Sequence, residues 1–583
     1  MSNFNTSYGA NALASKGGFQ NSAFGTSALS DTTSNYNTAC GAFALASNTT
    51  GQSNTAVGTN AMIVNTTGGY NTSVGTGNMC NNVTGVSNVS VGSNAMEKNT
   101  VGSYNVAMGD HCLYTNTDGS YNIAIGYNAL YNNTSGINNV AVGGNSMTNC
   151  VSGYANVGVG LSALSTITTG IRNVAVGTGA LLHGNTSNAT AVGYNAGAKG
   201  GAGIDTAIGA YALASCSGGG SNVAVGANSS YSITTGSNNT SLGHASLNLN
   251  VVGESNVAIG SYSLQNNTAS GNTAVGYHAL KANTTGIENV ALGSETLLSN
   301  TTATHNTAIG HLALYSDISG NQNVAVGART LYNNKAADNT AVGYLSLEKN
   351  TTGTQNVAVG SQALGVNTTG TNNEGLGFKA LLANTTGIQN VAMGTQALSK
   401  NVTTSNSTAI GFNALLSATG GTNTAIGSTA GSKLTTGTNN TFVGYQADFS
   451  GNLTNTIILG NSSITALHCA VSNITSLSDM RDKTDIVSLQ SGDGVNFVSH
   501  LNPVHFTWNM RDNGKVGVPD IGFIAQELKQ VQEDTGLTVP GLVDTSNPDR
   551  LLASYGTLLP VLVQSIKDLK AELDALKHQL NVA

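Results

Sequence analysis

A mainly β chain is predicted: a parallel β-solenoid or β-roll built from 16–17-residue repeats, then a small α+β domain that ends in a coiled-coil helix. Three observations predict it. The first is a glycine that follows an apolar residue, from Gly9, Gly25, Gly41 and Gly58 through to Gly427, Gly444 and Gly460, 28 times at intervals of 16 or 17 residues. The second is composition: charged residues are 8% where about 25% is usual, and Gly is 74 of 583. The third is an abrupt change near residue 477. Of the 47 charged residues 23 fall in 478–583, with all five prolines and the single Trp508.

Each part of the repeat has a physical reading. Its fullest form is seen from Gly276 to Gly293, GYHALKANTTGIENVALG. The stretch N-V-A-V-G alternates, so the residue before Gly and the one two earlier share a strand face, with Ala opposite. The pre-glycine residue is Val142, Val176, Ile208, Val225, Ile309 or Val326, and such an apolar series is expected to point into a continuous interior. The A-L pair, as in Ala129-Leu130 and Ala180-Leu181, is expected to supply a second short strand. N-T-T-G between them reads as a turn in which Asn and Gly tolerate left-handed backbone. Proline is missing from the repeat because stacked rungs need every backbone N–H. Two short strands per coil, each coil bonded to its neighbours, make a solenoid. At about 4.8 Å per strand spacing such a stack would extend roughly 130 Å. One coil is thin, so several chains around a common axis would complete the core.

The domain boundaries follow from these shifts: repeat over 1–465, linker over 466–477, C-terminal domain over 478–583, with a coiled coil over 559–581. In the last stretch Leu559, Leu562, Ile566, Leu569, Leu573, Leu576 and Leu580 recur at alternating spacings of three and four. That is an a/d heptad seam, with Lys567, Asp568, Lys570, Glu572 and Asp574 off it.

Several chemistries are set aside. The net charge of −7 is thinly spread and leaves no basic patch for nucleic acid. Cys40, Cys80, Cys112, Cys150, Cys216 and Cys469 have no CxxC spacing and read as free, core-type thiols. His183, His244, His278 and His311 lack ligand spacing, so no metal and no cofactor are expected. No stretch reaches 18 apolar residues and no signal-peptide pattern opens the chain, so membrane insertion is not expected. The N-x-T and N-x-S sequons follow from the Asn/Thr-rich repeat, and the Thr pairs are not spaced as an ice-binding T-x-T face.

The tail carries ordered motifs. SDMRDKTDI supplies Ser478, Asp479, Arg481, Lys483, Asp485 and Ile486; GFIAQE supplies Gly522, Phe523, Ala525, Gln526 and Glu527. Over 478–583 this resembles the C-terminal intramolecular chaperone of phage endosialidase tailspikes and other phage fibres, a self-cleaving serine peptidase family. Asp482 stands where that family commonly has an apolar residue. The repeat itself resembles the head repeats of trimeric autotransporter adhesins, whose units are usually a little shorter.

The resemblance implies cleavage between Leu477 and Ser478, with Ser478 as nucleophile and Lys483 as general base. A serine hydroxyl needs a base as it attacks, and a lysine can serve only when neutral. Asp479, Arg481, Asp485 and the Gly522–Glu527 element are implied to be structural. The expected protein is a viral, phage-type tail fibre or spike, made in the host cytoplasm and carried on the virion. The homotrimer would be assembled by its tail, with a host surface receptor or glycan as a further partner. The alternative is a trimeric surface adhesin with a non-cleaving trimerisation domain. A glycan-degrading enzyme would need a large non-repeat domain, for which the repeat leaves no room.

Overall fold

The computed structural model describes residues 4–201, 203–449, 451–464, 467–468, 478–510, 516–545, 549 and 551–581. The chain divides into two units, Met1–Asn406 and Ser407–Ala583. The first holds three-residue strands β1 to β24, the first being Thr6–Tyr8 and the last Val391–Met393. The second holds β25 (Thr408–Ile410), β26 (Thr424–Ile426), β27 (Thr441–Val443) and β28 (Ile457–Leu459), then the tail. The repeat region is a parallel β-solenoid of about 27 turns. Register is strict: Val140, Val157 and Val174 pair in sequence, as do Val142, Val159 and Val176.

The interior differs from expectation. Each coil has one short strand, and it is the central Ala that points inward. Ala107, Ala124 and Ala141 are fully buried, whereas Val176, Ile208, Leu242 and Leu292 before the glycines are 37%, 39%, 47% and 45% exposed. In most coils the inner side of the strand takes a small residue, Phe442 of β27 being a large one, and the β-branched residues face outward. The A-L segment is not a strand. Leu113 and Leu130 are fully buried but sit at φ 50° and 53°, with His111 and Asn128 also left-handed. Left-handed backbone costs a leucine roughly 1–2 kcal/mol, and burying its side chain gains about 1.5–3 kcal/mol. Burial outweighs the backbone cost, and the turn folds the leucine under the strand's alanine. Backbone bonds still link the coils here, as from Leu113 N–H to Ala129 O (2.9 Å).

The Asn of N-T-T-G has a different role from the one expected. It does not turn the chain; it lies inside the coil. Asn116 Nδ2 donates to Asn99 Oδ1 (2.6 Å) and to Gly119 O (2.9 Å), and Asn133 repeats the contact to Asn116 (2.7 Å). A second column runs through the Asn before each strand. Asn105 N–H donates to Asn88 Oδ1 (2.9 Å), its Nδ2 donates to Gly119 O (2.9 Å), and its Oδ1 accepts from Asn122 N–H (2.9 Å). The first Thr of N-T-T adds an outer column, such as Thr100 Oγ1 to Thr117 O (2.9 Å). These columns satisfy buried backbone that a lone short strand leaves unpaired. They also place many sequon asparagines, Asn65 and Asn283 among them, fully inside.

In the tail, α1 (Asp493–Ser499), the antiparallel pair β29 (Val504–Asn509) and β30 (Val516–Gly522), α2 (Ala525–Thr535), the short pair β31 (Val543–Asp544) and β32 (Leu552–Ala553), and α3 (Leu559–Asn581) follow in order. Phe497, Leu528, Val531, Val539, Leu542, Leu558 and Val561 form its core.

Candidate autoprocessing site

The tail's first described residues make a single 3-10 turn, Met480–Asp482, and the side chain of Asp479 caps it by accepting from Arg481 N–H (2.9 Å). A short polar residue at this place is what a helical N-terminus needs, because its first N–H groups have no internal partner. The Arg481 guanidinium folds back on the same carboxylate, Nε to Oδ1 at 3.0 Å and Nη2 to Oδ2 at 2.5 Å. The Arg481 side chain first, and its backbone N–H second, hold the Asp479 carboxyl below the usual range. Its acidic partner raises Arg481 in turn.

The turn reverses the chain so that Lys483, whose N–H closes it onto Met480 O (3.2 Å), reaches back to Ser478. Lys483 Nζ donates to Ser478 Oγ at 2.7 Å. Hydroxyl and amine are thus within direct proton-transfer distance, and both side chains are exposed in the single chain. With Nζ neutral the same contact can run the other way, the hydroxyl giving its proton to nitrogen as Oγ attacks a carbonyl. Leu477 lies outside the described residues, as do Cys469 and most of the expected 466–477 linker.

The Gly522–Glu527 element sits elsewhere in the tail, at the end of β30 and the start of α2. Gly522 lies against Tyr555, whose hydroxyl would be 2.8 Å from an added Cβ. That hydroxyl accepts from Phe523 N–H (3.1 Å) and donates to Phe523 O (2.9 Å). Glu527 Oε2 accepts from Asn502 Nδ2 (3.2 Å). Ala525 and Gln526 open α2, and Asp485 takes a left-handed conformation at φ 51°. These contacts tie the end of β30 and the start of α2 to Tyr555 and Asn502. Tyr555, which serves two of them, carries no motif or periodicity that marks it in the sequence.

Asp568, read in the sequence only as a charge off the seam, is buried. It is 5% exposed and caps α1 from 73 residues away, its Oδ2 accepting from Val495 N–H (3.4 Å). Gly494 lets the helices meet, since a Cβ there would lie 2.2 Å from Ser565 N. The face of α3 that packs on α1 therefore carries Val561, Ser565 and Asp568, 3%, 5% and 5% exposed, while Leu559, Ile566, Leu573 and Leu580 are 65%, 68%, 49% and 68% exposed.

Among the described residues no group of three His, Cys, Asp or Glu could hold a metal ion, and no helix is long and apolar enough to cross a membrane. The described cysteines are free. Burial lifts the thiols of Cys112 and Cys216 to about 12 and that of Cys150 to about 11.

Neither the curated proteins nor the solved structures give a match to the chain. One family model does match, Peptidase_S74, described as the chaperone of endosialidase, over residues 478–537. The matched segment begins at Ser478 itself and takes in the capped turn, α1, the β29–β30 pair and α2. The chain is a parallel β-solenoid repeat followed by a C-terminal region that matches the chaperone of endosialidase family.

Proposed function

We propose that the chain is the subunit of a homotrimeric, phage-type tail fibre or spike whose tail assembles it and is then released by a cut between Leu477 and Ser478. The observation that carries this reading is the division of labour on α3. One face is consumed by α1, and the heptad seam on the other is left bare. An apolar seam of this kind is stable in water only against like helices. A repeat with its own outward apolar stripe supports the same partner, since in-register strands give a second copy a matching surface. The tail holds the chains at high effective concentration while slow parallel pairing proceeds. Ser478 then attacks the Leu477 carbonyl, Lys483 takes the proton and returns it to the departing Ser478 amine, and water releases the ester. The released shaft, carried on the virion, would meet a host surface receptor or glycan.

The test compares the full chain with Ser478→Ala by denaturing gel, intact mass and sedimentation. Wild type is expected to yield a fragment of 106 residues (478–583), and Ser478→Ala to remain whole and trimeric. A wild-type chain that stays whole but trimeric would favour the non-cleaving adhesin alternative; a stable monomer would defeat the assembly reading.

A further inference from the structure

One inner rung of the repeat is chemically unlike its neighbours. The N-T-T asparagine column runs upward by amide-to-carbonyl bonds: Asn283 Nδ2 to Asn267 Oδ1 (2.6 Å), Asn300 to Asn283 (2.7 Å), then Asn350 to Asn334 (2.7 Å). Between Asn300 and Asn334 the residue is Asp317, fully buried. A carboxylate has no proton to give, and Asn300 Oδ1 is left without a partner. The same acceptor is orphaned at Asn133, where the next rung is Cys150, and at Asn384, where Asn401 turns its carbonyl to Thr404 instead. In each case the column fails where the following rung aims no amide at the acceptor: Asp317 and Cys150 have none, and that of Asn401 goes to Thr404 O (3.1 Å).

We infer that Asp317 stands in the folded repeat as a neutral acid whose O–H donates to Asn300 Oδ1, and that ionisation of this carboxyl opens the coils around residues 300–334.

The surroundings agree. Gly320 N–H donates to Asp317 Oδ1 (2.8 Å) and Asn323 Nδ2 to Oδ2 (3.4 Å), with Ser319 N–H and the Asn334 side chain as further donors. Every group facing the carboxyl is uncharged: Asn300 from the coil before, Asn334 from the coil after, and Asn323 and backbone amides of its own coil. The charged and histidine side chains nearest along the chain, His305, His311, Arg329, Lys335 and Asp338, are all exposed. Burial, only partly offset by these donors, lifts the carboxyl from 3.8 to about 7. The folded coil therefore keeps a proton that an open coil releases to solvent. The resulting stability is complete below the open-coil value near 3.8 and is lost as pH rises through about 7.

Hydrogen exchange of the full chain and of Asp317→Asn tests this, read on peptides spanning 300–334 and corrected for intrinsic exchange. Local opening in wild type should rise ~100-fold between about pH 5 and pH 8.5, flattening above about pH 7. Asp317→Asn restores the column's own residue and should abolish the rise, staying closed at high pH. A flat wild-type profile, or an equal rise in Asp317→Asn, overturns the inference. If Asp317→Asn fails to fold, infrared spectroscopy of the chain in an Asp205→Asn background decides. A carboxylic-acid C=O band persisting at about pH 6 is expected, and its absence overturns the inference.

Discussion

At the scale of single residues, the repeat depends on asparagine more than on its apolar positions. Asn105 ties together three coils through its amide, and alanine there would leave Asn122 N–H buried without a partner and Gly119 O with one donor, Asn116, in place of two. Each orphaned group costs about 1–3 kcal/mol, so Asn105→Ala should open the adjacent coils measurably by hydrogen exchange, whereas an outward Val→Thr change in the single chain should not. In the tail, the 2.7 Å contact between Lys483 and Ser478 makes the amine the expected base. Lys483→Met should stop processing as completely as Ser478→Ala while leaving the trimer intact, as read by intact mass and sedimentation. The proposed base and nucleophile come into view in the sequence only through the resemblance of the ordered motif series, since the spacing of Ser478 and Lys483 by itself reads as an exposed turn. The buried places of Asn116 and Asp568 are not, since an amide or carboxylate reads as polar surface until its partners are known.

At the scale of elements, the closure of each coil rests on a glycine after the strand. Gly92 takes φ 142°, and a Cβ would fall 2.3 Å from Gly109 O in the next coil. Gly92→Ala is expected to break the stack locally and to create a protease-sensitive site there, detectable by limited proteolysis with mass spectrometry. In the tail, the α1–α3 contact depends on Asp568. Burial works against its charge most strongly, but N–H donors from Gly492, Val495 and Gly494 and the Gln564 amide outweigh it and keep the carboxyl below the ordinary range. The group is thus more acidic folded than unfolded. Its contribution is present above about pH 4 and lost as pH falls through its lowered folded value. Asp568→Asn should lower the melting temperature of the tail at neutral pH and weaken its acid dependence. The apolar A-L pair suggests a second strand per coil because a short apolar run suits a strand as well as a turn. Left-handed backbone at Leu113 and Leu130 is not foreseeable from local order, because a leucine adopts it only when its burial outweighs the strain.

At the scale of the whole molecule, the bare α3 seam is what the assembly reading depends on. Ile566→Lys with Leu573→Lys removes apolar contacts from α3 without touching the face that packs on α1. The double variant should sediment as a monomer and fail to process, with tail helicity retained by circular dichroism. Helicity lost along with assembly would mean that α3 is held by neighbouring chains rather than by its own domain.

Sequence alone determined the period of the repeat, the parallel stacking, the break near residue 477 and the heptad seam, because periodicity along the chain is what most of these consist of. Tertiary structure decided which side of the strand faces inward, that asparagine rather than valine lines much of the coil, and that Asp568 and Tyr555 brace the tail. These depend on the width of a closed coil and on partners 14 to 73 residues away, and neither quantity is written in local order. The same reason leaves Asp317 invisible as a rung until the column around it is seen.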